Sequence, residues 1–197
     1  VDRIVVDTST VPGPRGLRQL RELTALRHAT RSQFGDLSWH RIAPWRSLTA
    51  RLFDAAVSTL SEIDRVTICA VGRGGQPAGS QALLYSGWLA SRLGWKPTGT
   101  GWTTRDGGQV AFQADHARGS GANGDLLTVD LHTAGGDTYS LERGADDLLH
   151  ARAPHLGDAD RAFLRLRPFS SAEYLQRELG PLGDDPVMWQ SVDASLL

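Results

Sequence analysis

The chain has 197 residues, 40% of them hydrophobic and 22% charged, which is enough for one large domain or two small ones. A formal net charge of -1 argues against nucleic-acid and membrane binding, and no apolar run approaches the roughly 20 residues of a membrane span. The single cysteine, Cys69, cannot form an internal disulfide, which fits a reducing cytoplasm. We therefore expect a cytoplasmic protein. Because Val1 rather than methionine comes first, we also expect a piece of a longer protein.

The first hundred residues alternate between strand and helix signals. The run from Ile4 to Val6 predicts a short buried strand, and a Pro-Gly-Pro turn at 12–14 follows it closely. A helix is then predicted by leucines at near-helical spacing, namely Leu17, Leu20, Leu23 and Leu26. Arginines surround them at 15, 18, 21, 27 and 31. They could contact phosphates, and we prefer the interpretation as a solvated helix face.

Two tryptophans lie six residues apart in the stretch DLSWHRIAPWR, residues 36–46. Asp36 can cap a helix, and Pro44 fits the first turn of a second helix or a kink in a continuous one. The helical spacing predicts a buried stripe of Trp39, Ile42, Trp45, Leu48 and Leu52. The charged groups of Arg41 and Arg46 must in contrast reach solvent or a partner, and tryptophan and arginine are enriched at interface hot spots.

Residues 65–71, RVTICAV, are rich in β-branched side chains and predict a central strand. A mostly apolar helix is predicted at 80–93, ended by Gly94. A glycine inside a helix costs about 1 kcal/mol relative to alanine, so we expect Gly87, with Ser91, to let another helix approach closely. This order of elements predicts a parallel or mixed sheet covered by helices.

The pattern changes after Trp95 to short strands joined by turns. Asp106-Gly107 predicts a hairpin between 102–104 and 109–114. A polar glycine-rich loop at 116–125 precedes a half-buried strand, which is indicated by alternation at Leu127, Val129 and Leu131. Residues 134–137 then turn the chain into another strand at 138–142.

Two helices are predicted near the carboxyl end. Ser170 and Glu173 form a capping box for a helix through Leu179, and Asp185 with Pro186 starts a last helix toward Leu196. The predicted fold class is α/β (mixed α+β). Residues 1–97 form its α/β part and residues 98–197 its β-rich part, in one compact unit.

The stretch GRGGQPAGS at 72–80 lies between a predicted strand and a predicted helix, where backbone amides can bind phosphate. The candidate anion-binding residues are Gly72, Gly74, Gly75 and Ser80. Pro77 stands where the dinucleotide fingerprint has its third glycine, and no Gly-Lys-Ser/Thr ends the loop. We prefer an ordinary turn and keep a sugar-phosphate- or nucleotide-binding module as the alternative.

Catalytic signatures are missing from the sequence. The six histidines are scattered, and none pairs with another at the spacing of metal ligands on a helix. There is no Gly-x-Ser-x-Gly nucleophile motif, and Cys69 falls in an apolar strand where a thiol behaves as a small hydrophobe. We therefore expect no catalytic residues, no metal and no cofactor.

Two segments resemble the OpcA family, the glucose-6-phosphate dehydrogenase assembly proteins of cyanobacteria and actinobacteria. They are DLSWHRIAPWRSLTARLFD at 36–54 and SGWLASRLGW at 86–95. DRIVVDTS at 2–9 and SEIDRVTI at 61–68 are similar to the same family pattern in the same order. The resemblance covers the first half well and the second half loosely.

The resemblance implies a non-catalytic protein that binds glucose-6-phosphate dehydrogenase, promotes its oligomeric assembly and raises its activity. Family members are longer at the amino terminus, so this chain would be the carboxy-terminal part. We expect allosteric activation, in which the active oligomer is bound more tightly than the inactive one. The candidate partner-binding residues come from the two segments and are Trp39, Arg41, Trp45, Arg46, Trp88 and Arg92.

Overall fold

The structure is a computed structural model that describes residues 3–30, 32–145, 148–156, 162–166, 169–179 and 185–196. For residues 24–28 and 162 it describes the backbone only. The side chains of Leu26 and Arg27 and the whole of Arg31, which belong to the predicted arginine-rich helix, therefore lie outside the described part.

The predicted fold class is confirmed, because helices and strands alternate in the first half and strands dominate the second. The helices are α1 Arg15–Thr30, α2 Leu37–Arg41, α3 Ala43–Phe53, α4 Ser80–Leu93, α5 Ser171–Leu179 and α6 Pro186–Ala194. The strands are β1 Arg3–Val6, β2 Gln33–Asp36, β3 Ile63–Val71, β4 Lys96–Pro97, β5 Gly101–Thr103, β6 Gln109–Ala117, β7 Leu126–Thr133, β8 Thr138–Arg143, β9 Leu148–Arg152 and β10 Ala162–Arg165. No helix among the described residues has the length and apolarity needed to cross a membrane.

Eight strands form one mixed sheet in the order β10-β9-β8-β7-β3-β6-β5-β4. Strand β3 is central, as predicted, and runs parallel to β6 and antiparallel to β7. Ile68 is the Cα partner of Ala114 on one side and of Val129 on the other. The sheet is therefore built by inserting a strand of the first half between two strands of the second.

A second, two-stranded sheet pairs β1 with β2 in parallel, with α1 between them in the sequence. The sequence analysis did not predict β2, because its residues QFGD have weak strand propensity apart from Phe34. Four ladder pairs with β1 hold it in place. Strands β4, β9 and β10 were also missed, since each is a short run without clear alternation.

The core lies between one face of the large sheet and helices α3 and α4. Alternate residues of β3 are buried there, including Val66 and Ile68, whereas Arg65, Thr67 and Cys69 face the other way and are at least partly exposed. Cys69 thus lies in β3, as predicted, and is partly buried on the face away from this core. Burial raises the pKa of the Cys69 thiol, and the nearby carboxylates of Asp115 and Asp130 raise it further.

Strand β7 departs from the predicted alternation at its start. Leu126 is buried instead of Leu127, while Val129 and Leu131 are buried as expected. The register between β3 and β7 shifts between Cys69 and Ala70, and such an irregularity moves a side chain to the other face. The preceding loop is also shorter than predicted, because β6 continues to Ala117.

Helices α4 and α6 pack directly against each other at Gly87, as the sequence predicted. A Cβ atom at position 87 would overlap the carbonyl oxygen of Ser191 in α6. The Ser195 hydroxyl reinforces this contact by donating to the carbonyl oxygen of Leu83, at 2.9 Å. Gly94 ends α4 in the left-handed conformation with φ of 69°, which confirms the predicted cap.

Gly87→Ala should therefore lower the free energy of unfolding by about 1–3 kcal/mol, because overpacking at Ser191 outweighs the better helix propensity of alanine. Urea unfolding followed by circular dichroism measures this change. Gly74→Ala is the matched control, since a Cβ there meets nothing within 4 Å, and it should change stability by less than about 0.5 kcal/mol. Equal stability of the two variants would contradict the close packing of α4 and α6.

Candidate functional site

The stretch 36–46, called here the tryptophan–arginine segment, folds as two helices rather than one kinked helix. The Asp36 side chain accepts a hydrogen bond from the Ser38 amide and caps α2, and Pro44 occupies the first turn of α3. The predicted stripe is buried at all five positions, Trp39, Ile42, Trp45, Leu48 and Leu52. The tryptophans thus enter the core, as expected.

Asp36 is fully buried at the junction of this segment with the turn after β1. Its carboxylate accepts hydrogen bonds from the Thr8 amide at 3.1 Å, the Thr8 hydroxyl at 2.5 Å and the Ser38 amide at 2.9 Å. Burial raises its pKa to about 6, although these hydrogen bonds favour the charged form. A partly protonated carboxyl group therefore lies at the base of the segment near neutral pH.

Arg41 is engaged within the chain. Its guanidinium donates to both carboxylate oxygens of Asp7, at 2.6 and 2.8 Å, and to the Ser9 hydroxyl at 3.0 Å. The group also lies 5.2 Å from the centroid of the Tyr174 ring in α5. Burial alone would raise the pKa of Asp7, but the hydrogen bonds from Arg41 and Ser9 outweigh it and the pKa is lowered. Arg41 thus connects α2 to the turn after β1 and to α5.

His40 contributes a third connection, to the buried Glu178 of α5. The carboxylate of Glu178 is hydrogen-bonded to both His40 and Arg3, so it joins α2, α5 and β1. Gly35 in β2 leaves the room for this carboxylate, because a Cβ there would collide with it. The short helix α2 is therefore held by side chains from three other elements.

Arg46 stacks on Trp39 within the segment itself. Its guanidinium lies 3.4 Å from the centroid of the Trp39 ring, and burial lowers its pKa to about 10. The indole Nε1 of Trp39 donates to Oδ2 of Asp185 at 2.7 Å. The other oxygen of Asp185 caps α6 by accepting from the Val187 amide at 2.9 Å. Trp39 and Arg46 thus lie at the amino-terminal end of α6.

Helix α4 adds the other two predicted residues to the same region. Arg92 is exposed and donates to the side chain of Gln190 in α6. Trp88 lies one turn before Arg92 on the same side of α4 and is half-buried, with its ring 5.5 Å from that of Tyr85. Trp39, with Arg46 stacked on it, thus contacts the start of α6, and Arg92 contacts its middle, while Trp88 lies beside Arg92 on α4. We call these four residues the α6 face. Arg41 and Trp45 lie elsewhere.

Arg41 and Trp45 line a cleft of about 340 Å³ between the tryptophan–arginine segment and α5, called here the arginine cleft. Its other polar lining residues include Gln81, Asp125, Arg143 and Tyr174. Asp125 accepts hydrogen bonds from the Gln81 side chain at 2.8 Å and the Ala122 amide at 2.9 Å, and Arg143 lies 3.5 Å from it. The sequence analysis missed these residues. It placed Gln81 and Tyr174 in predicted helices and Asp125 in a predicted loop, but it gave none of them a role in a site.

The glycine-rich stretch 72–80 borders a much smaller cavity of about 70 Å³, which it shares with Pro12, His116 and Asn123. Such a volume has room for a few water molecules but not for a nucleotide or a sugar phosphate. Ser80 is buried and its hydroxyl donates to the Thr8 carbonyl at 3.0 Å, while Gly74 and Gly75 are exposed. In the part of the chain that the structure describes, no three His, Cys, Asp or Glu side chains are arranged to hold a metal ion.

Comparison with protein families gives a match over most of the chain. A family model for the C-terminal domain of the glucose-6-phosphate dehydrogenase subunit matches residues 32–192. A putative OxPP cycle protein OpcA from Synechocystis is 41% identical over 99 residues, which are 49% of this chain and 19% of that protein. The putative OxPP cycle protein OpcA from Synechococcus elongatus is 50% identical over 64 residues, which are 32% of this chain and 14% of that protein. The matched stretches are thus a fifth or less of the length of these curated relatives.

Comparison with solved structures shows a shared fold. KijD10, a 3-ketoreductase from Actinomadura kijaniata in complex with NADP, has a TM-score of 0.55 and 13% sequence identity to this chain. The superposition covers 98% of this chain and 67% of the KijD10 chain. The transcriptional regulator Gal80p from Kluyveromyces lactis has a TM-score of 0.51 and 11% identity, over 98% and 62%. A reductase and a regulator share this fold, so the fold by itself does not assign an activity.

The buried carboxyl group of Asp36 should make stability depend on pH in an unusual direction. Its pKa of about 6 in the folded protein exceeds the 3.8 of an exposed aspartate, so its stabilising effect is complete below pH 3.8 and is lost as the pH rises through 6. Asp36→Asn does not titrate. When the pH is lowered from 7 to 4, the free energy of unfolding of the parent should therefore increase by about 2 kcal/mol relative to that of Asp36→Asn.

Urea unfolding of both proteins at pH 4, 5, 6 and 7 measures this difference. Asp106→Asn, in an exposed turn, controls for the loss of one carboxylate. A stability difference between the parent and Asp36→Asn that does not change with pH would refute the raised pKa.

Proposed function

The chain belongs to the OpcA family, as the match over residues 32–192 to the C-terminal domain of the glucose-6-phosphate dehydrogenase subunit shows, and we propose that it is a non-catalytic assembly protein of that dehydrogenase. The family match carries this proposal, because it includes both tryptophan- and arginine-containing segments and all eight strands of the large sheet. The partner is then an enzyme of the oxidative pentose phosphate pathway. We place the complex in the cytoplasm.

The α6 face is the proposed contact surface for the dehydrogenase. It combines an exposed arginine, Arg92, with the half-buried Trp88 ring and the half-buried Arg46 guanidinium, and tryptophan and arginine are enriched at interface hot spots. Arg46 is held against Trp39, and Trp39 is anchored to Asp185. Side chains already fixed in the free protein lose less conformational entropy on binding, which favours affinity. Arg41 and Trp45 have a supporting role in this proposal, because Arg41 connects α2 to the turn after β1 and Trp45 packs in the core.

Activation would follow from a difference in affinity between two states of the dehydrogenase. If the chain binds the active oligomer more tightly than the inactive form, it shifts the population toward the active oligomer by that difference. A shift from 1% to 99% active enzyme requires a ratio of affinities of about 10⁴. Neither nucleic acid nor a membrane has a part in this mechanism.

Arg92→Glu should weaken binding to the dehydrogenase by about 1–3 kcal/mol, because it reverses the charge of the exposed arginine on the α6 face. Its melting temperature should stay close to that of the parent, since Arg92 is exposed. Titration of the dehydrogenase from the same organism, followed by specific activity and by light scattering, measures both activation and oligomer size.

The control for this experiment is Arg73→Glu, the same charge reversal at an exposed position of the glycine-rich stretch. It should bind and activate like the parent. If Arg73→Glu failed to activate the dehydrogenase and Arg92→Glu activated it normally, the contact surface would be at residues 72–80. The parent chain alone, incubated with glucose 6-phosphate and NADP, should show no turnover. Steady turnover by the pure chain would disprove the non-catalytic role.

A further inference from the structure

We propose that the arginine cleft binds a small polyhydroxylated anion, the chemical class of sugar phosphates and sugar acids. The inference rests on the cleft itself and does not depend on the proposed function. The cleft is separate from the α6 face and from the glycine-rich stretch, so none of the candidate residues at those places is needed for it.

The size of the cleft suits a small metabolite. Its volume of about 340 Å³ falls at the lower end of the range of about 300–1,000 Å³ that is usual for ligand pockets. Its walls come from α2 and α3, the start of α4, the loop before β7, and α5. A bound molecule would therefore contact parts of the chain that are distant in sequence, which is typical of ligand sites formed at the junction of several elements.

The guanidinium groups of the cleft can serve an anion as hydrogen-bond donors. Two guanidinium groups, of Arg41 and Arg143, line it, against the single carboxylate of Asp125. Asp7, which fixes the orientation of Arg41, is not among the lining residues. Arg41 donates three hydrogen bonds to Asp7 and Ser9 out of the five N–H groups that an arginine carries. A phosphate or carboxylate can therefore accept from a guanidinium that is already held in place.

The remaining polar groups suit hydroxyl groups. Asp125 accepts from Gln81 and the Ala122 amide and pairs with Arg143, which leaves one of its roughly four lone-pair positions for a ligand hydroxyl. Tyr174 lines the cleft, and a phenol can both donate to and accept from a ligand hydroxyl. Pro44, Leu166 and Phe169, which are partly exposed, supply apolar surface for the carbon skeleton. Phosphate alone would leave these groups unused.

Isothermal titration calorimetry and thermal unfolding with four probes test the proposal. The probes are glucose 6-phosphate, 6-phosphogluconate, inorganic phosphate and glucose. At least one of the first two should bind with micromolar to millimolar affinity and raise the melting temperature by a few degrees at saturation. Inorganic phosphate and glucose should each bind at least tenfold more weakly, because phosphate lacks the sugar hydroxyl groups and glucose lacks the anionic group.

Ser171→Trp should weaken binding of the successful probe at least tenfold, because Ser171 lines the cleft and a bulky ring there fills it. Ala172→Trp, exposed at the next position of α5 and not part of the lining, should bind like the parent. Tyr174→Phe removes one hydroxyl group and should weaken binding about three- to tenfold, which provides a second test if Ser171→Trp does not fold. The proposal is overturned if no probe binds, if phosphate alone binds as tightly as both sugar anions, or if Tyr174→Phe and Ser171→Trp bind like the parent.

Discussion

Asp36 accepts hydrogen bonds from Thr8 and from the first turn of α2 at a fully buried position, and the arrangement of the tryptophan–arginine segment follows from this contact. A helix of five residues has no stability of its own, so α2 needs an external anchor to keep its orientation. With its first turn fixed, the next side chains reach three different elements. Trp39 contacts the start of α6, His40 contacts α5, and Arg41 contacts the turn after β1.

The sequence predicted those parts of the fold that depend on local chemistry. The caps at Asp36, Ser170, Asp185 and Gly94, the buried helical stripe and the Asp106-Gly107 hairpin all follow from residues within one or two turns of each other. The partners of the arginines and tryptophans could not be predicted in this way. Arg41 meets Asp7 across 34 residues and Trp39 meets Asp185 across 146, and no pattern in the chain relates such distant positions. The arginine cleft was missed for the same reason.

Tryptophan and arginine in one short segment had suggested a docking surface, and the structure shows a second use for the same composition. The planar guanidinium of Arg46 stacks on an indole ring, and that of Arg41 forms a bidentate pair with Asp7. Both contacts hold the chain together before any partner arrives. Residue types that are enriched at interfaces therefore also stabilise a fold, and exposure distinguishes the two uses. By that measure Arg92 is the strongest interface candidate of the six residues.

The central position of β3 has a consequence for the newly made protein. Its two neighbours in the sheet, β6 and β7, follow it in the sequence and end at Ala117 and Thr133. From Val71 to Thr133 is 133 − 71 = 62 residues, which a ribosome adds in roughly 3–12 s at about 5–20 residues per second. Until that time is over, the apolar strand cannot have both of its final hydrogen-bonding edges covered. The central strand of the finished sheet is thus an aggregation-prone segment during translation.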